Sequence, residues 1–149
     1  MVIDHKYWMN EALIEASKAY ENNEVPIGAI IVKDQRIIGR GFNTKESSKD
    51  VTHHAEINAI RQASKTLQNW HLDDCDLYVT VEPCAMCASA IIQSRIRNVY
   101  YGTKEPKMGA HISKTMLFDI PGQHHVNVYS GIEEEACQKL MSDFFKTKR

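Results

Sequence analysis

Two short segments hold the side chains with the most chemistry: His54-Ala55-Glu56 and Pro83-Cys84-Ala85-Met86-Cys87. Residues three apart on a helix share a face, so Cys84 and Cys87 can aim both sulfurs at one centre. A helix N-terminus favours the thiolate, the form in which cysteine binds metals. Two thiolates and one imidazole make a three-ligand zinc site whose fourth tetrahedral position is open to water, and zinc promotes ionisation of that water near neutral pH. Glu56 lies two residues beyond His54 and should not sit beside it on a helix face. At a first turn, however, side chains fan around the exposed helix end. Glu56 can therefore reach the water as a proton shuttle without ligating the metal.

A Cys-x-x-Cys pair alone would also suit a structural zinc site or a redox dithiol. Cys75 and Cys137 do not supply a second close pair, and neither alternative uses His54 and Glu56 at this spacing. His53 is the rival ligand, but only His54 gives the H-x-E spacing, which leaves His53 as a loop or supporting residue. Cys75, at a strand start, and Cys137, on an apolar helix face, read as core thiols. His111, His124 and His125 fall in an irregular region and read as surface residues, with His111 a loop candidate for touching substrate.

The elements around these motifs follow from periodicity. Met9, Ala12, Leu13, Ala16, Ala19 and Tyr20 recur at helical spacing, and Pro26 cannot continue that helix. Residues 27–33 and 36–42 are β-type runs joined by Asp34-Gln35, the pattern of an antiparallel hairpin. A polar loop over 43–52 leads to a second helix reaching about residue 68. A strand over 76–81, a helix over 85–94 and a strand over 98–102 come next. Residues 103–123 are less regular, with a helical turn expected at 113–118. A short strand at 126–130 precedes a last helix with Cys137, Leu140, Met141, Phe144 and Phe145 on one face. The order predicts an α/β fold: a mixed sheet of about five strands with helices on both faces. One helix and one strand separate His54 from Cys84, which lets the two helix starts lie side by side at one end of the sheet.

The 149 residues suit a single domain spanning 1–149, with no repeat or linker. The 18 basic and 19 acidic side chains nearly cancel, which argues against nucleic-acid binding through a bulk positive field and leaves room for a local basic patch. The longest apolar run, 27–32, is too short to cross a bilayer, and residues 1–10 have no signal-peptide pattern. Four cysteines in such a chain point to a reducing compartment, so a cytoplasmic location and no membrane partner are expected.

Over nearly its full length the chain resembles bacterial tRNA adenosine deaminases, within the zinc-dependent cytidine deaminase-like superfamily. The resemblance is carried by Glu24-Val25-Pro26-Ile27-Gly28-Ala29, Gly41-Phe42-Asn43, Ser94-Arg95-Ile96 and Val99-Tyr100-Tyr101-Gly102, and by the Phe144-Phe145 ending on a basic tail. It is carried above all by the H-x-E and P-C-x-x-C motifs, the signature of the zinc nucleobase deaminases. The resemblance implies a three-layer α/β/α fold and a homodimer. It implies one zinc per subunit on His54, Cys84 and Cys87, Glu56 as general acid/base, and no organic cofactor. Asn43 would hydrogen-bond the target base, with Ala55 and Pro83 at the substrate pocket. The implied reaction is conversion of the wobble adenosine of a tRNA anticodon stem-loop to inosine, with DNA not expected as a natural substrate.

Where that family commonly has Asp-x-Lys-x-Gly, this chain has Glu105-Pro106-Lys107-Met108-Gly109. Glu105 would accept from a ribose hydroxyl, Lys107 would join the RNA contacts, and Phe145 would stack on a base. The tail residues Lys146, Lys148 and Arg149 are candidates for phosphate contact. A guanine, cytosine or other nucleobase deaminase would share His54, Glu56, Cys84 and Cys87, and is the alternative.

Overall fold

The computed structural model describes residues 4–148, so Arg149 of the basic tail lies outside the described residues. The first helix, α1 (His5–Glu21), starts where Asp4 accepts the Tyr7 N–H at 3.0 Å, an N-cap. Strands β1 (Gly28–Lys33) and β2 (Arg36–Phe42) form the expected hairpin. Its turn residues Asp34 and Gln35 both have positive φ, 49° and 62°, the geometry whose twist matches paired strands.

The segment 43–52 contains one helical turn, α2 (Lys45–Ser48), followed by α3 (Ala55–Leu67), β3 (Asp76–Val81), α4 (Ala85–Gln93) and β4 (Asn98–Thr103). The turn expected at 113–118 forms instead as a 3-10 helix at Leu117–Asp119. The last two elements are β5 (Asn127–Tyr129) and α5 (Glu134–Lys146).

The sheet order is β2-β1-β3-β4-β5. β1 is antiparallel to both β2 and β3, whereas β3, β4 and β5 run parallel. Strand alternation sends Ile30, Val32, Tyr78 and Tyr100 to one face, where Met9 and Ala12 of α1 and Cys137 of α5 cover them. It sends Ala29, Ile31, Leu77, Val79, Val99 and Tyr101 to the other face, under α3 and α4. The result is the predicted mixed five-stranded sheet between two helical layers. Among the described residues, no helix is long and apolar enough to cross a membrane.

One packing detail sets the height of α3. Its inner stripe is Ala55, Ala59 and Ala63, all fully buried, and it lies directly on Gly39 and Gly41 of β2. A Cβ on Gly41 would overlap the Ala55 carbonyl oxygen and the Ala59 nitrogen, so the helix and strand backbones approach as closely as glycine allows. Asn58 adds a polar tie, donating from Nδ2 to the Phe42 carbonyl at 2.8 Å and to Thr44 Oγ1 at 3.2 Å. The first turn of α3 is thus seated against the end of β2.

Candidate active site

Because β2 and β3 both run antiparallel to β1, they end at the same edge of the sheet. Residues 43–54 lead from β2 into α3, and residues 82–84 lead from β3 into α4. His54 and Cys84 are therefore the N-cap residues of two neighbouring helices, both with extended backbones. Each carbonyl accepts the first intrahelical bond, His54 from Asn58 at 3.0 Å and Cys84 from Ala88 at 2.8 Å. The helix starts are pinned and the two side chains meet above the sheet edge.

His54 Nδ1 lies 3.6 Å from Cys84 Sγ and 3.5 Å from Cys87 Sγ, and the three donor atoms are all within 4.8 Å of one another. A tetrahedral zinc with Zn–S of about 2.3 Å and Zn–N of about 2.0 Å would place nitrogen and sulfur about 3.5 Å apart. The donor set therefore fits zinc in both chemistry and spacing. Hydrogen bonds from Cys87 and His54 outweigh burial and hold the Cys84 thiol down at about 4. The same bond to Cys84, together with burial, pushes the Cys87 thiol far up, and the bond to Cys84 raises His54. The three groups share protons in the place where a cation would displace them.

Glu56 is on the first turn of α3, only 4 % exposed. Burial pushes its carboxyl up to about 7, and the neighbouring Cys84 thiolate pushes in the same direction. Glu56, His54 and Cys84 all line one slot of about 440 Å³. Its walls are mostly apolar, with Ile27, Val81 and Met86 inside and the exposed Val51 and Met108 at the lips. A mostly apolar cavity with a few convergent polar groups is the usual form of a small-molecule site.

The other residues singled out from sequence fall in different places. Asn43 lines the slot, and its Oδ1 accepts the Ala55 N–H at 2.8 Å, so it caps α3 from outside the helix. Ala55 is fully buried in the α3 layer of the core and gives its N–H to Asn43. Pro83 is buried behind the slot, its carbonyl accepting the Ala110 N–H at 2.8 Å. Glu105 lines the slot and accepts the Lys107 N–H through Oε1 at 2.9 Å, whereas Lys107 is exposed outside the lining.

Phe145 is also outside the lining, half exposed on α5 and edge-on to Phe144 at 5.4 Å. The end of α5 nevertheless approaches the slot's margin, where Lys148 bonds Asn23 beside Glu24. His111 is bound inward, Nδ1 to the Tyr101 hydroxyl at 2.9 Å, and takes no part in the slot. His53 is held by Ser48 at 2.7 Å and Arg61 at 2.7 Å, apart from the His54–Cys84–Cys87 set.

Sequence reasoning missed two buried carboxylates at the slot, Glu24 and Glu82, which are 2 % and 3 % exposed. A signal was present for each: a lone acid close to an apolar run, Glu24 three residues ahead of 27–32 and Glu82 directly after 77–81. Acids at such places bury only with dedicated donors.

Comparison with known proteins adds to this geometry. The family model of the MafB19-like deaminases matches residues 3–149. A tRNA-specific adenosine deaminase of Agrobacterium fabrum is 46% identical over 147 residues, covering 98% of this chain and 97% of that protein. A structure from a study of A-to-I editing by tRNA:A34 deaminases at the wobble position of transfer RNA is 47% identical. It has a TM-score of 0.87 and covers 90% of this chain and 98% of that one. The guanine deaminase of Bacillus subtilis is 36% identical with a TM-score of 0.66, covering 80% and 79%.

Proposed function

This chain belongs to the MafB19-like deaminase family, and on that premise we propose that it is a zinc-dependent tRNA adenosine deaminase, converting the wobble adenosine of an anticodon to inosine with release of ammonia. The observation that carries the reaction is the buried Glu56 beside a His–Cys–Cys set spaced for a tetrahedral cation, with Glu56, His54 and Cys84 lining a mostly apolar slot. The RNA substrate follows from near-full-length similarity to the Agrobacterium enzyme and the wobble deaminase structure.

When bound by His54, Cys84 and Cys87, zinc supplies the Lewis acidity that makes a water nucleophilic near neutral pH. Everything else falls to the chain. Asn43 and Gly41 keep α3 seated, so His54 and Glu56 hold their places. The Glu56 carboxylate takes a proton from the attacking water and passes it to the ring nitrogen beside the reacting carbon. It then takes the remaining proton from the newly added hydroxyl and delivers it to the departing amine. A C–O bond forms, the C–N bond breaks, ammonia leaves, and Glu56 returns to its starting form. The apolar lips Val51 and Met108 shield the ring from bulk water. An adenine in an unpaired loop costs little to extrude into the slot.

The proposed enzyme works in the cytoplasm as a homodimer. Supporting the dimer is the exposed Trp70 on an open groove of about 560 Å³, away from the slot, whose lining mixes Ile60, Ala90 and Ile92 with Gln93, Arg95 and His124. The test is a single-turnover assay of zinc-loaded protein on a tRNA with adenosine at the wobble position, with free guanine and cytosine in parallel. Inosine confined to the wobble site is the expected result. Ammonia from a free base with intact tRNA would replace this reading with a nucleobase deaminase.

A further inference from the structure

Glu24 and Glu82 do no chemistry in the reaction above, yet both are almost completely buried against the slot. Their partners run in one pattern. Glu24, in the bend between α1 and β1, accepts the Glu46 N–H through Oε1 at 3.1 Å and the Ser47 N–H through Oε2 at 2.6 Å. Glu82, just after β3, accepts the Glu105 N–H through Oε1 at 3.1 Å. Its Oε2 accepts the N–H groups of His111, Ile112 and Ser113 at 2.9, 3.1 and 3.1 Å, and the Ser113 hydroxyl bonds Oε1.

The two segments so gripped follow β2 and β4, which flank β1 and β3 in the sheet, so they border the slot as two separate rims. Glu24 holds α2 and its continuation, which place Lys45, Glu46 and Val51 on one rim. Glu82 holds the loop that places Glu105 and Met108 on the other rim. That loop wraps Glu82 so closely that a Cβ on Gly109 would overlap the carboxylate. Glu82 directly follows β3, and Glu24 sits in the bend that leads from α1 into its neighbour β1, with its own N–H on the Ala19 carbonyl at 2.9 Å. Backbone N–H groups gathered on an anion lose their freedom to rearrange, and charge-assisted bonds are about twice as strong as neutral ones.

We propose that Glu24 and Glu82 are positioning residues which fix the two rims of the substrate slot at a set separation, and so govern how tightly substrate is held more than how fast the held base reacts. The proposal rests on the slot being the deamination site. It requires no contact between either carboxylate and the substrate. The glutamine variants are close to isosteric but swap one acceptor oxygen for an amide that repels a backbone N–H. In Glu82→Gln, an oxygen kept on the 111–113 amides turns the new NH2 on Glu105. In Glu24→Gln, one of the Glu46 and Ser47 amides loses its acceptor.

The experiment compares wild type, Glu24→Gln and Glu82→Gln, each zinc-loaded, for KM and kcat on an anticodon stem-loop. Amide hydrogen exchange is followed at residues 46, 47 and 105. Expected are zinc content unchanged, faster exchange at the released rim in each variant, and KM raised on the order of tenfold, with kcat within about threefold. A purely structural role would lower the active fraction, and hence kcat, at unchanged KM. That pattern overturns the proposal, as does exchange equal to wild type at the named amides. If wild type leaves the stem-loop intact and turns over guanine, the RNA reading fails, and the same KM comparison on guanine decides the proposal.

Discussion

Replacing Gly41 with alanine tests whether the seat of α3 governs the chemistry. The added methyl would overlap the Ala55 carbonyl oxygen and the Ala59 nitrogen and stand 2.9 Å from Asn58 Cβ. Two of these neighbours are backbone, so no side-chain rotation relieves the overlap. The helix must retreat by about 1 Å to restore ordinary contact distances. Overpacking of this kind costs about 2 kcal/mol. For a chain of this length that corresponds to a fall in Tm of about 4–8 °C.

The same retreat moves His54 away from Cys84 and Cys87 and shifts Glu56, and a misplacement of about 1 Å can cost on the order of a hundredfold in rate. Calorimetry and deamination kinetics on the zinc-loaded variant measure both effects. The control is Gly122→Ala, where φ is +87° and nothing lies within 4 Å of the added methyl. It should lose about 1–2 kcal/mol through backbone strain alone while kcat stays put. Equal activity in wild type and Gly41→Ala, or equal losses of activity in the two glycine variants, would refute the reasoning.

Glu56→Gln removes the proton carrier but keeps the shape; deamination should fall by on the order of 10²–10⁴-fold with zinc content unchanged by metal analysis. Asn43→Ala takes away the acceptor that caps α3 at Ala55, and should cost about 1 kcal/mol in urea unfolding together with weaker zinc retention against a chelator. Burial alone would raise the Glu82 carboxyl, but its bonds from Ser113, Ile112 and Glu105 outweigh it and leave the folded-state pKa below the ordinary 4.5. Because that value is depressed on folding, its stabilisation is complete above the unfolded value and is lost as pH falls through the folded one. Acid unfolding of Glu82→Gln should therefore depend less steeply on pH below about 4.5 than that of wild type.

The parts of the site legible in the sequence are those whose causes are local. Cys84 and Cys87 meet because helical spacing brings them together, and His54 and Glu56 share one helix start. The hairpin was readable because Asp34-Gln35 is a polar break between two β-branched runs. The missed pieces have distant causes. The turn α2 is polar and short, and it is held by Glu24, more than twenty residues upstream. The segment expected to coil at 113–118 instead gives its first amide to Glu82, with the helical turn displaced to Leu117–Asp119. No window of periodicity contains both partners of such a bond. Asn43 is marked in the sequence by the family resemblance, but its hold on the Ala55 amide shows only in the fold.

The antiparallel placement of β1 between β2 and β3 divides labour between the two ends of the sheet. The candidate ligands, Glu56 and both rims collect at one end, whereas the opposite end carries the Asp34-Gln35 turn and the entries to β3, β4 and β5. A peptide graft, a fluorescent label or a new chain terminus at that turn would sit a full strand length from the chemistry. The molecule thus has a working end and a handle. Substitutions at the handle can alter solubility, labelling or attachment while leaving the geometry of the working end in place.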